Sequence, residues 1–303
     1  MTKPIGTPPQ TLISLTVGLI AGICFITWEL RRRDTGLLDV RLFRERTLAA
    51  GSITLLVVFG VQAGIGVVLF PFFQAVLGWS GLLSTVAMMP MAVAMMMASG
   101  VAPKLTSRTG ARATMVVGIA LAGVGMALMA LFVSASGGYP SVLPGLLAMG
   151  IGMGLSMTPS TEAITASLPH QNQGVASALN DVTREFGTAL GVALLGALVS
   201  AGYRSAIDDR LHGIPQRAAD TAREGVANAV EVATNTGPHA QGLLHAAQQS
   251  FVDGWQQAMW AGTAIMCVLF VYIAALGPKN TPSPVTAEAD PAEAIAACGR
   301  SRN

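Results

Sequence analysis

Continuous apolar runs, rather than alternating ones, dominate this chain. Seven of them, at roughly 11–30, 50–74, 81–102, 113–133, 141–161, 177–200 and 255–277, are separated by polar breaks. A bilayer core ~30 Å thick needs about 20 mostly apolar residues at 1.5 Å rise per residue, and each run reaches that length. In hydrocarbon every backbone N–H and C=O has to be satisfied within the protein, which leaves helices and closed barrels. Unbroken hydrophobicity selects the helix. The pattern predicts an all-α integral membrane protein with seven transmembrane helices.

Two polar stretches interrupt or follow the runs. The segment 203–254 mixes Ala-rich helical periods, Gln216 to Val232 and Ala240 to Phe251, with breakers at Gly213, Pro215 and Gly237-Pro238. It reads as an external hairpin of short amphipathic helices. Residues 278–303 are rich in Pro, Ala and acidic residues and are expected to form a disordered tail. Composition agrees with a lipid environment: 52% of residues are hydrophobic and 11% charged, against roughly 25% charged in soluble domains.

The net charge of +2 carries no nucleic-acid signal; the position of the charges is informative instead. Arg31, Arg32, Arg33, Arg41, Arg44 and Arg46 follow the first run, and Lys104, Arg108 and Arg112 follow the third. The turns around Trp79 and Ser136 carry no Lys or Arg. Basic loops stay cytoplasmic, so the N-terminus is expected outside and the C-terminus inside, in a cytoplasmic (plasma) membrane. Trp79 and Trp255 then fall at the outer interface and Trp28 at the inner one. The first run is not expected to be a cleaved leader, because arginines follow it and no small-x-small site ends it. Cys24, Cys267 and Cys298 are far apart, without metal-ligand spacing; neither a disulfide framework nor a metal site is expected.

Within the runs, Gly60 and Gly64, Gly150 and Gly154, and Gly187 and Gly191 are each four apart, the spacing that lets helices approach closely in lipid. Pro71, Pro90 and Pro159 are expected to kink or end their helices. Met88 to Met97 is methionine-rich, which suits either an adaptable apolar surface or plain core and lipid contact.

Four motifs carry a family resemblance. Gly36-Leu37-Leu38-Asp39-Val40-Arg41-Leu42-Phe43 resembles the cytoplasmic linker entering the C-terminal half of 14-span drug:proton antiporters of the major facilitator superfamily. Phe70-Pro71-Phe72-Phe73-Gln74-Ala75-Val76-Leu77-Gly78-Trp79-Ser80 resembles the end of the next span in that family. Pro103-Lys104-Leu105-Thr106-Ser107-Arg108-Thr109-Gly110-Ala111-Arg112 resembles its degenerate G-x-L-x-D-R-x-G-x-R loop, with Ser107 in place of the usual aspartate. Gly174-Val175-Ala176-Ser177-Ala178-Leu179-Asn180, followed by Arg184 and Gly187, resembles its GxASALxNxxRxxGGALG stretch.

The resemblance covers residues 11–277 and begins at the eighth of fourteen spans. It implies that the last six runs form one major-facilitator half, built as a 3+3 inverted repeat. Three units follow: 1–46, the first span and basic linker; 47–277, the six-span C-terminal transporter half with its external segment; and 278–303, the cytoplasmic tail. The implied function is transmembrane transport by the C-terminal part of a proton-coupled multidrug efflux transporter, incomplete alone. It needs no cofactor beyond the proton gradient, and its partners are a small amphiphilic or cationic drug-like substrate, the bilayer and an N-terminal half. A non-transporting truncated or accessory membrane protein binding a partner half is the alternative. No paired acidic, His-Glu or Ser/His constellation lies inside the runs, so an enzyme is not expected.

Ionisable residues inside a membrane are costly and mark function by default. Asp181, Arg184 and Glu185 sit together near the inner end of the sixth run, where spacings of three and four share a helical face. They read as an ion pair at a cytoplasmic gate, as a proton relay, or as incidental. Glu162, just after Pro159, either hydrogen-bonds across the gate or faces the headgroups. Lys104, Arg108, Gly110 and Arg112 form the loop motif, and its cations either pair with acids when the inner side closes or serve topology alone. Gln62 and Gln74 are the amides of the second run. They either join helices or line a drug cavity with Phe59, Phe72, Met88, Met91 and Met95.

Overall fold

The computed structural model describes residues 45–278, less 169–172, 213 and 234–239, together with scattered helical positions between Ile13 and Trp28. The basic linker 31–44, the tail from 279, Cys298 and the breakers Gly213 and Gly237-Pro238 lie outside the described residues.

Six long helices form the bundle. They are α1 (Arg46–Pro71), α2 (Gly81–Thr109), α3 (Ala111–Phe132), α4 (Leu143–Ala166), α5 (Gln173–Asp208) and, after two short helices, α8 (Ala240–Leu276). The short ones are α6 (Gln216–Glu224) and α7 (Val226–Ala233). The chain is all-α among the described residues, and the long helices alternate in direction. One end of the bundle therefore carries Trp79 and the other Gly110.

Among the described residues, five helical segments are long and apolar enough to cross a membrane: α1 with its π-turn, α2, α3, α5 and α8. The sixth long helix, α4, has 24 residues, roughly 36 Å of helix and also enough to span. Glycine, serine and threonine dilute its hydrophobicity, because α4 is the inner helix. Gly145, Gly150, Gly152, Gly154, Ser156 and Ser160 are all buried in it, packed against α1, α2 and α3 rather than against lipid. The first expected span is described only at positions between Ile13 and Trp28, all helical and exposed.

Glycines set which helices touch. A Cβ at Gly60 would lie 2.9 Å from the Gly187 carbonyl oxygen, and one at Gly64 would lie 2.7 Å from that of Gly191. These spacings clamp α1 onto α5, two helices that run in the same direction. Likewise a Cβ at Gly150 would lie 2.5 Å from the Met91 carbonyl oxygen, so α4 is clamped onto α2, again in parallel. Ser99 and Thr158 hydrogen-bond across that second seam at 3.1 Å. Antiparallel α3 closes onto α4 through Gly118 and Gly152 and through Gly125 and Gly145. In lipid, where no hydrophobic drive pulls helices together, such close backbone approach supplies the packing energy.

Of the three prolines expected to kink or end their helices, Pro71 ends its regular helix. Helices α2 and α4 run on through Pro90, Pro103 and Pro159. Only after Pro71 does the backbone change, loosening into a π-turn over Phe72–Val76. Carbonyls of that turn, Ala75 and Val76, accept from Gln248 Nε2 at 3.1 Å each, which ties the Trp79 end to α8.

Two boundaries differ from the sequence expectation. The period Ala240 to Phe251 is the first part of α8, not a separate surface helix, and α5 runs on to Asp208. At 36 residues, α5 is roughly 54 Å long, well beyond a ~30 Å hydrocarbon layer. Both helices therefore project past the Trp79 end of the bundle, where α6 and α7 pack against them. Tyr203, buried on α5, donates to the Ala222 carbonyl at 2.8 Å and anchors this annexe. Trp255, expected at the outer interface, is turned inward: its ring is 0% exposed and packs 5.2 Å from Phe72, centroid to centroid. Trp79 stacks on Phe73 at 5.6 Å, and Tyr139 stands 5.6 Å from Trp79. These aromatic side chains plug the Trp79 end.

Candidate functional site

Because α1 is clamped to α5 and α2 to α4, helices α1 and α2 hardly touch each other. The gap between them is a cavity of about 430 Å³, within the roughly 300–1,000 Å³ of small-molecule sites. Helix α1 gives it Phe59, Gln62, Ala63, Ile65 and Gly66. Helix α2 gives Met88, Met91, Ala92 and Met95, and α5 gives Thr188.

The i, i+3, i+4 spacings explain the lining. Phe59, Gln62 and Gly66 share one face of α1, and Met88, Met91, Ala92 and Met95 share one face of α2. The walls are aliphatic, aromatic and thioether, surfaces that reshape around varied apolar ligands. The polar groups are few. Gln62 brings an amide to the wall, and its Oε1 is buried without a hydrogen-bond partner. Thr188 adds a hydroxyl. No lining residue is ionised.

Five of the seven residues expected at a drug cavity, Gln62, Phe59, Met88, Met91 and Met95, are brought together here. Phe72 is not, being buried against Trp255, and neither is Gln74. It falls in the π-turn after Pro71 and is exposed at the Trp79 end, twelve positions from Gln62. Ala63, Ile65, Gly66, Ala92 and Thr188 were missed by sequence reasoning. Only Thr188 carried a signal, as the residue one turn beyond Arg184 on α5.

The charged trio is arranged differently from the expected ion pair. Asp181, Arg184 and Glu185 are exposed on α5, and neither acid pairs with Arg184 among the described residues. Arg184 instead reaches across the α1–α5 seam, and its guanidinium carbon lies 4.4 Å from the centroid of the Phe59 ring. The glycine contacts between these helices bring the two residues close enough for that. Within-helix spacing alone shows neither the neighbouring helix nor its aromatic ring. Arg184 therefore lies beside the cavity, and all three residues lie toward the Gly110 end.

Glu162 is half-buried near the end of α4, without an ion pair among the described residues. The loop motif sits where α2 turns into α3. Gly110 separates the helices at φ 87°, a conformation that glycine adopts without steric cost. Arg112 donates to the Ala274 carbonyl, fastening α3 to the end of α8. Lys104 and Arg108 are exposed and make no ion pair among the described residues. The ion pairs seen among the described residues lie in the annexe. Arg210 binds Asp253 at 2.7 Å, and Arg223 binds Asp208 at 2.7 Å and Asp220 at 2.8 Å. Asp208 is thus engaged by an arginine.

A helical bundle with buried glycine seams, long apolar helices and an uncharged cavity between two of them defines an all-α, multi-pass membrane protein. Residues 7–192 match the Major Facilitator Superfamily, and the chain belongs to that family. It is similar to the multidrug resistance protein Stp of Mycobacterium tuberculosis, 26% identical over 277 residues, covering 88% of this chain and 50% of Stp. It is 29% identical over 268 residues to the multidrug efflux pump LfrA of Mycolicibacterium smegmatis, covering 86% and 51%. A third relative, the methyl viologen resistance protein SmvA of Salmonella typhimurium, is 27% identical over 260 residues, covering 85% and 51%. The chain spans about half the length of these curated relatives.

Proposed function

We propose that this chain is the C-terminal half of a 14-span, proton-coupled multidrug exporter, and that it moves small amphiphilic or cationic molecules only together with an N-terminal half. The observation that carries this reading is the cavity between α1 and α2. It has the size, the thioether and aromatic walls and the sparse polarity of a loosely selective binding site. The names of the relatives, multidrug resistance, multidrug efflux and methyl viologen resistance, agree with such ligands, and methyl viologen is a flat aromatic cation.

The packing supports an inverted repeat. Grouping α1, α2 and α3 against α4, α5 and α8 pairs the first helix of each group with the second helix of the other. Both pairs, α1 with α5 and α4 with α2, are parallel and glycine-seamed. Substrate near the midplane would then be exposed alternately as the two halves rock. In the proposed orientation the Gly110 end is cytoplasmic and the Trp79 end external, with the N-terminus outside and the C-terminus inside. Asp181, Arg184, Glu185 and Glu162 would mark the cytoplasmic gate, and Lys104, Arg108 and Arg112 its loop. The aromatic plug would close the outer side.

The test is ethidium efflux from a pump-deficient bacterium. One strain carries this chain alone and another carries it joined to the first seven spans of a 14-span relative. The reading expects protonophore-sensitive efflux from the joined protein, reduced by Gln62→Leu, and none from the chain alone. A joined protein that reaches the membrane and exports nothing would overturn it.

A further inference from the structure

We propose that Arg184 is an internal competitor for the cavity. Its guanidinium holds the Phe59 ring that an aromatic cation would use, and ligand entry releases Arg184 toward Asp181. The proposal rests on the reading of the α1–α2 cavity as the substrate site and adds how that site selects its occupant.

The geometry points this way from both partners. Phe59 faces the cavity and at the same time carries the Arg184 guanidinium carbon 4.4 Å from its centroid, inside the roughly 6 Å range of a cation–π contact. From α5, Thr188 lines the cavity and Arg184 lies one turn before it, so the arginine stands at the cavity's edge. A ring quadrupole attracts a cation, and a second cation brought to the same ring is repelled by the first.

The arginine is free to leave. It is exposed and has no carboxylate partner among the described residues. Asp181 is also without an ion pair there and lies three positions earlier on α5, within i, i+3 reach. A guanidinium at membrane depth gains from such a partner. Displacing it from Phe59 therefore exchanges an aromatic contact for an ionic one. The exchange links an occupied cavity to a new charge pairing toward the Gly110 end.

The experiment is equilibrium binding of radiolabelled tetraphenylphosphonium to the full chain in nanodiscs. It compares wild type, Arg184→Gln, Phe59→Leu and the double variant. Competition expects Arg184→Gln to tighten binding roughly two- to fivefold, the range of an exposed cation–π contact released from the ring. Phe59→Leu should weaken binding, and Arg184→Gln should change affinity less than twofold in the Phe59→Leu background. Arg184→Lys, which keeps the charge but loses planar stacking, should fall between wild type and Arg184→Gln, and it serves if the glutamine variant does not fold.

Unchanged or weaker binding in Arg184→Gln would overturn the proposal and leave the cavity reading standing. Equal tightening with and without Phe59 would also overturn it, because it would show charge repulsion rather than competition for the ring. Binding by none of the variants would overturn the cavity reading and the proposal with it.

Discussion

Substituting Gly191 by alanine tests whether the α1–α5 seam holds the bundle together. A Cβ at Gly191 would fall inside the van der Waals envelope of Gly60, against its carbonyl oxygen, carbonyl carbon and Cα. All three are backbone atoms, so no side chain can swing away and the helices have to part. A gap of 0.5–1 Å forfeits about a quarter to a half of each contact's dispersion energy, and overpacking of this kind costs about 1–3 kcal/mol. Gly196 lies on the same helix with nothing within 4 Å of its would-be Cβ. There alanine removes only glycine's conformational freedom, which stabilises by about 0.4–1 kcal/mol. The two substitutions are chemically identical and five residues apart, so propensity cancels and the sign of the effect reports the seam. The assay is SDS-titrated unfolding in micelles, followed by circular dichroism. Gly191→Ala is expected to lower the midpoint and Gly196→Ala to leave it unchanged or raise it. Equal shifts in the same direction would refute the packing argument.

Two further outcomes follow from individual contacts and one from the proposed topology. Tyr139→Phe removes the hydroxyl that donates to the Ala87 carbonyl at 2.9 Å but keeps the ring against Trp79. It should cost about 0.5–1.5 kcal/mol in the same unfolding assay, and a larger loss would mean that the ring had moved. Asp253→Asn breaks the Arg210 pair, whose side chains are 34% and 39% exposed. Such an exposed pair is worth about 0–1 kcal/mol, so the unfolding midpoint should barely move and should respond little to salt. For orientation, in a background with Cys24, Cys267 and Cys298 replaced by serine, a membrane-impermeant maleimide added to whole cells should label Ser136→Cys. It should label Ser107→Cys only after permeabilisation, and the reverse pattern would invert the proposed topology.

The long helices were legible because lipid imposes a simple rule, that unbroken hydrophobicity means helix. Their ends were less so. The apolar signal stops where hydrocarbon stops, whereas α5 and α8 run on as Ala-rich polar helix, and nothing in a hydropathy pattern marks that continuation. Glycine spacing showed which helices have close-packing faces, but not that Gly60 meets Gly187 while Gly150 meets Met91. For the cavity, the face of α1 with Phe59 and Gln62 and the face of α2 with Met88, Met91 and Met95 followed from helical periodicity. Gln74 was misplaced because, twelve residues beyond Gln62, it lies roughly 18 Å further along the helix and on another face, at the exposed end. Arg184 was given partners from its own helix because spacing along one helix is visible in a sequence. Its neighbour Phe59, across a seam between distant segments, is not. Trp255 was placed at an interface by its amphipathic chemistry, but tertiary packing against Phe72 buried it.

The account turns on the α1–α2 cavity being where drug-like cations bind. The most direct measurement is photolabelling of membranes containing the full chain with an azido derivative of tetraphenylphosphonium, followed by peptide mapping. The account predicts adducts on Phe59 and on the stretch from Met88 to Met95, suppressed by excess unlabelled tetraphenylphosphonium. Adducts confined to other helices, or labelling that the unlabelled cation does not compete away, would contradict it.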